Sequence, residues 1–144
     1  MELDLLHEND TPILQKDHSD ILFWTSFLIL FSSFYAFSKR RFDAFVICIL
    51  IFATSLNYWR DPKYGFRRDL DVFVVWSGIF YLFICAIINK VWSPLFWFFY
   101  VSTLLLFPIG WYIYNQGYVR LSVLLHCLFH LCGNLSVVIF CSLY

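Results

Sequence analysis

Apolar residues run along this chain in long blocks separated by short charged breaks. The breaks leave five uncharged windows, at 21–38, 44–59, 72–89, 91–119 and 121–144. A membrane-spanning helix needs roughly 20 mostly apolar residues to cross the hydrocarbon core, so charges mark the ends of spans. The pattern predicts an all-α fold, a polytopic transmembrane bundle of about five helices over about 20–38, 43–59, 70–89, 91–114 and 118–144. These form one domain over 21–144, preceded by an acidic polar tail over 1–20. The window 44–59 holds only 16 residues and needs Phe42, local thinning or snorkelling at its edges to span.

Breakers between the windows predict the turns. Lys39-Arg40-Arg41 is a tight basic turn that makes the first two helices antiparallel neighbours, and Asn115-Gln116-Gly117 makes the last turn. Pro62 and Gly65 break any helix within 60–69, the one substantial internal loop. Ser93-Pro94 supplies a cap and a first-turn proline for the fourth helix, Pro108 predicts a kink in it, and Thr11-Pro12 predicts a short helix in the tail.

Composition strengthens the membrane assignment, since 61% of the 144 residues are hydrophobic, 23% aromatic and only 14% charged. Five such windows leave no polar sequence to cover them in a soluble fold. The net charge is zero, but Glu2, Asp4, Glu8, Asp10, Asp17 and Asp20 crowd the amino-terminal segment. That segment lacks a basic region ahead of an apolar core and a cleavage site, so the first helix is expected to remain as an anchor. Lys16, Arg60, Lys63, Arg67, Arg68 and Arg120 fall on one face and Lys39, Arg40, Arg41 and Lys90 on the other, so the positive-inside rule assigns no orientation. Cys48, Cys85, Cys127, Cys132 and Cys141 all lie in apolar windows without a C-x-x-C pair, as small buried hydrophobes do.

Candidate chemistry concentrates in the last helix. Ser122, His126, His130 and Asn134 recur every four residues and share one helix face. Imidazole and amide groups in hydrocarbon need partners, so the stripe should face the bundle interior. Its depth places Ser55, Asn57 and Asp71 in the same half of the membrane, and these residues can meet Ser122 and His126 in one polar pocket. Three readings stay open. His126 and His130 hydrogen-bond across helices as structural glue, with Gly133, Ser136 and Ser77-Gly78, or bind a metal ion at their i, i+4 spacing, or form a proton or ligand site.

The order of these residues resembles the CREST superfamily of membrane hydrolases and receptors, which includes alkaline ceramidases and adiponectin receptors. That family carries Ser-x-x-x-His near the end of one helix, an Asp at the start of the next and His-x-x-x-His on the last. The matching positions here are Ser55, Asp71, and His126 with His130. Trp59 stands where the family has a zinc-binding histidine, and five predicted helices replace its seven. The resemblance implies zinc-dependent hydrolysis of a lipid amide, with Ser55 and Asp71 catalytic, His126 and His130 on the metal, and His18, Asn57 or Asp71 as third ligand.

A docking element is the other candidate: Asn57, Trp59, Arg60, Lys63, Arg67, Arg68 and Asp69 combine interfacial aromatics, opposite charges and a rigid turn. Asp17 or Asp20 is placed to pair with Arg67 or Arg68. With no phosphate loop, haem motif or complete triad, the sequence favours a non-catalytic subunit of a larger membrane complex or particle. Its expected partners are the lipid bilayer and other membrane subunits, not nucleic acid. No cofactor is expected beyond the zinc of the alternative.

Overall fold

The computed structural model describes residues 12–143. Glu2, Asp4, Glu8, Asp10, Thr11 of the proposed tail helix, and Tyr144 lie outside the described residues. Among the described residues six helices follow one another: α1 Lys16–Thr25, α2 Leu28–Ser38, α3 Phe42–Trp59, α4 Phe66–Ile88, α5 Pro94–Asn115 and α6 Val119–Leu143. With α1 and α2 counted as one run, five helices are long and apolar enough to cross a membrane, which fits an integral multi-pass protein. The description is all-α, as the charge breaks predict.

The first helix starts earlier than the hydrophobic pattern places it, because polar residues build its opening turn. Asp17 sits in the first turn, where the helix dipole favours a carboxylate, and Lys16 pairs with Asp20 at 2.6 Å. That pairing corrects the expectation that Asp20 reaches Arg67 or Arg68. The α1–α2 break was also not foreseen. Thr25 and the fully buried Ser26 both donate to the Leu22 carbonyl, at 3.1 and 2.8 Å. Such back-bonding bends helices. The backbone then continues through the tighter bonds Ile29 N to Ser26 O and Leu30 N to Phe27 O.

Helix ends follow local chemistry. Arg40, Lys90 and Gly117 take the left-handed conformation, at φ 60, 52 and 84. In each case the next residue donates back five positions: Arg41 to Ala36, Val91 to Ala86 and Tyr118 to Ile113. This is the Schellman arrangement. Ser93 accepts from Phe96 N at 3.3 Å and Pro94 opens α5, as the sequence indicates. Pro108 lies inside α5 and does not end it.

The close helix pairs are α5 with α6, α2 with α3 and α6, α1 with α3 and α6, and α4 with α3. The order across the bundle is therefore α5, α6, the α1–α2 run, α3 and α4. Side chains bridge α4 to α5: the Tyr100 hydroxyl donates to the Ile79 carbonyl at 3.1 Å, and Phe83 stacks on Tyr100. One face gathers the amino-terminal strap, the 60–69 loop and the end of α5, since Ile13 N donates to Pro62 O at 2.8 Å and Tyr114 donates to Ile13 O at 2.6 Å. On the other face Tyr35 meets Ser142, and the Arg41 guanidinium lies 4.7 Å from the Phe140 ring centroid. Arg41 also donates to Asp43, and that bond raises its pKa further above the ordinary value.

Two glycines on the packing faces behave differently. A Cβ at Gly78 would meet the side-chain ends of Ile51 at 2.8 Å and Ile47 at 3.0 Å, so these isoleucines must shift to admit a methyl group. A Cβ at Gly133 would make an ordinary 3.6 Å contact with Thr103. Gly133→Ala is expected to raise bundle stability by up to about 1 kcal/mol through helix propensity, while Gly78→Ala loses that gain to crowding. Thermal unfolding in lipid nanodiscs, followed by circular dichroism, ranks the two. A higher midpoint for Gly78→Ala than for Gly133→Ala would contradict the packing described.

Candidate functional site

Ser55 and Asp71, singled out as a possible catalytic pair, are hydrogen-bonded. The Ser55 hydroxyl donates to Asp71 Oδ1 at 2.8 Å, and the neighbouring Thr54 donates to the same oxygen at 2.9 Å. Both Ser55 and Asp71 are buried. One turn of α3 thus places two adjacent hydroxyls against the first turns of α4, where Pro62 and Gly65 have reversed the chain. Thr54 was missed, although a second hydroxyl beside Ser55 in an apolar window is a legible sign of an interhelical partner.

The stripe on α6 also faces inward. His126 and His130 meet edge to face with ring centroids 4.8 Å apart. His130 Nδ1 lies 3.1 Å from the Thr25 hydroxyl. The Thr25 hydroxyl also lies 3.1 Å from the Leu22 carbonyl, and which of Thr25 and His130 donates depends on the imidazole tautomer. Asn134 donates to the His130 carbonyl at 2.6 Å and accepts a short bond from Ser32. Thr25 and Ser32 were not anticipated, and they lie on the two sides of the unforeseen break.

Two cavities, each of about 90 Å³, adjoin at these pairs. Asp71, Ser122 and His126 line the first, with Tyr58 and Trp59, on the side of the 60–69 loop. Ser55, His130 and Asn134 line the second, with Thr103 and Gly133, in the middle of the bundle. Each hydrogen-bonded or stacked pair therefore has one member in each cavity. The expected single pocket is divided, and Asn57 does not join it: Asn57 is exposed and accepts from Arg60 at 3.5 Å.

The zinc site implied by the CREST resemblance needs a third donor beside the two histidines. Trp59 instead packs its ring 5.0 Å from that of His126. His18 faces a separate groove with Tyr118 and Arg120, and Asp71 is engaged by two hydroxyls. Among the described residues no three His, Cys, Asp or Glu side chains group to hold a metal ion. The donor set does not fit the implied zinc.

The loop candidates are largely satisfied within the chain. Arg67 and Lys63 lie 3.1 and 3.6 Å from Asp61. Arg68 pairs with Asp69 at 3.4 Å and covers the rings of Tyr64 and Trp111. Trp59, assigned to this loop from sequence, is only 6% exposed and belongs to the interior. Asp43 and Tyr81, which the sequence reading passed over, form a further bond between α3 and α4. Compared with protein-family models, characterised proteins and solved structures, the chain matches none.

Proposed function

We propose that this chain is a structural or assembly subunit of a larger membrane complex or particle. What supports this reading most is how its intramembrane polar groups are used. Thr54 and Ser55 reach Asp71, Thr25 reaches His130, Ser32 reaches Asn134, and Tyr100 reaches Ile79. These bonds join helices, which is the glue role such side chains have in membrane bundles.

The outward surface gives partners something to hold. Phe31, Phe73, Phe80, Ile88 and Phe98 project from three helices, and Trp92 at the α4–α5 turn is 86% exposed. Rigid aromatic side chains lose little conformational freedom on contact, whether the neighbour is lipid or another helix.

Extraction of native membranes in a mild detergent is expected to yield a particle much larger than the 17.3 kDa chain. Loosening of that particle by Arg67→Ala with Arg68→Ala would place the 60–69 loop at the contact. A stable monomer carrying one equivalent of zinc would overturn the reading in favour of the hydrolase that the CREST resemblance implies.

A further inference from the structure

The two cavities have similar volumes and opposite hydrogen-bonding states. Around the mid-bundle cavity the hydroxyls already have partners: Ser55 donates to Asp71, Thr103 to Phe99 O, Ser136 to Gly133 O and Tyr100 to Ile79 O. Around the loop-side cavity the pattern reverses. The Trp59 indole N–H is buried without a hydrogen-bond partner. The Tyr58 and Ser122 hydroxyls, the His126 ring and the Asp71 carboxylate line the same cavity. Tyr58 and Trp59 are each only 6% exposed, so bulk solvent over an open surface does not serve them.

Buried polar groups that lack protein partners are satisfied by water wherever the site is polar and roomy enough, whereas cavities lined by satisfied or apolar groups stay dry. A water needs roughly 10–15 Å³ of such volume and two to four polar partners. The loop-side cavity offers about 90 Å³, the unpartnered Trp59 N–H and the polar groups of Tyr58, Asp71, Ser122 and His126. Its outer wall is Arg68, Trp111 and Tyr114, with the Ile13–Leu14 strap beside them, so it lies toward the face of the 60–69 loop.

We propose that this cavity is a one-sided aqueous vestibule that binds a small cluster of waters and ends at His126. It brings water into the helix bundle from the loop face and stops at the His126–His130 contact. Beyond that contact the mid-bundle cavity is dry, so no water path crosses the bundle. His126 is then the hydrogen-bonding and proton-exchanging histidine, with Asp71, Arg68 and Tyr58 as its polar surroundings. His130 is held on the dry side by Thr25.

Radiolysis of water in the intact protein, reconstituted in nanodiscs, tests this with controls inside the chain. Hydroxyl radicals form in place and oxidise side chains next to water, and mass spectrometry reads each site. Tyr58 and Tyr100 are the same residue type with nearly equal exposure, 6% and 5%, on opposite cavities. Tyr58 is expected to be oxidised roughly tenfold faster than Tyr100, and His126 faster than His130. Equal, slow rates for the two tyrosines would overturn the proposal. Ser122→Leu, which fills the vestibule from α6, should bring the Tyr58 rate down toward that of Tyr100. Unchanged Tyr58 oxidation in a folded Ser122→Leu variant would equally overturn it.

Discussion

Phe140→Ala is expected to destabilise the bundle by about 3 kcal/mol, at the low end of the range for large aromatic truncations in cores. Phe140 has no exposed surface, touches the Phe96 ring at 6.2 Å between centroids and lies under the Arg41 guanidinium. It therefore joins α6 to α5 and to the α2–α3 turn at one point. Lipid is as apolar as phenylalanine, so transfer from water contributes little to this loss. The cost comes from dispersion contacts and from a void that surrounding helices fill only in part. Leu124→Ala, on the exposed side of the same helix, removes apolar atoms from contact with lipid and should change stability by no more than about 0.5 kcal/mol. Unfolding by denaturing detergent in bicelles, followed by circular dichroism, measures both. Equal losses would show that Phe140 is not a packing centre.

That contrast also explains what the sequence could and could not reveal. Span number and helix type were legible because charge is costly in hydrocarbon, so Lys, Arg, Asp and Glu fall between the five apolar windows and not within them. The first helix boundary was less legible, since Lys16, Asp17 and Asp20 look like tail residues until the i, i+4 pair is seen. The α1–α2 break depends on hydroxyls choosing their own backbone, a choice that Thr25 and Ser26 share with many serines and threonines that leave helices straight. Four-residue spacing correctly placed His130 and Asn134 toward other helices. Spacing carries no information about which helix lies opposite, so Thr25 and Ser32 were invisible as partners. Trp59 misled because an aromatic beside an arginine at a span end resembles an interfacial anchor, whereas α3 turns it inward against His126. The one expected pocket is divided where Ser55 meets Asp71 and His126 meets His130.

Asp71→Leu is expected to cost about 2 kcal/mol, while Asp71→Asn stays within about 0.5 kcal/mol of the parent, because the amide keeps the oxygen that Ser55 and Thr54 both use. Interhelical hydrogen bonds in membrane bundles contribute about 0.6 kcal/mol on average and up to about 1.7, so two bonds to one oxygen set the scale. The opposing effect is desolvation of the carboxyl group, which leucine would relieve. Bonding should prevail here because Asp71 lines the loop-side cavity and is not enclosed in apolar packing on that side. Thr54 already reaches its own Ile51 carbonyl at 3.1 Å, so only the Ser55 hydroxyl loses its acceptor and the loss stays moderate. The consequence is local, since α4 packs most extensively against α3 and Asp71 ties its first turns to that neighbour. Loosening this tie should expose the 60–65 loop, and proteolysis there is expected to rise in Asp71→Leu but not in Asp71→Asn. A double-mutant cycle of Ser55→Ala with Asp71→Ala isolates the Ser55 bond, and a coupling near zero, or a leucine variant more stable than the parent, would refute its role in holding α4.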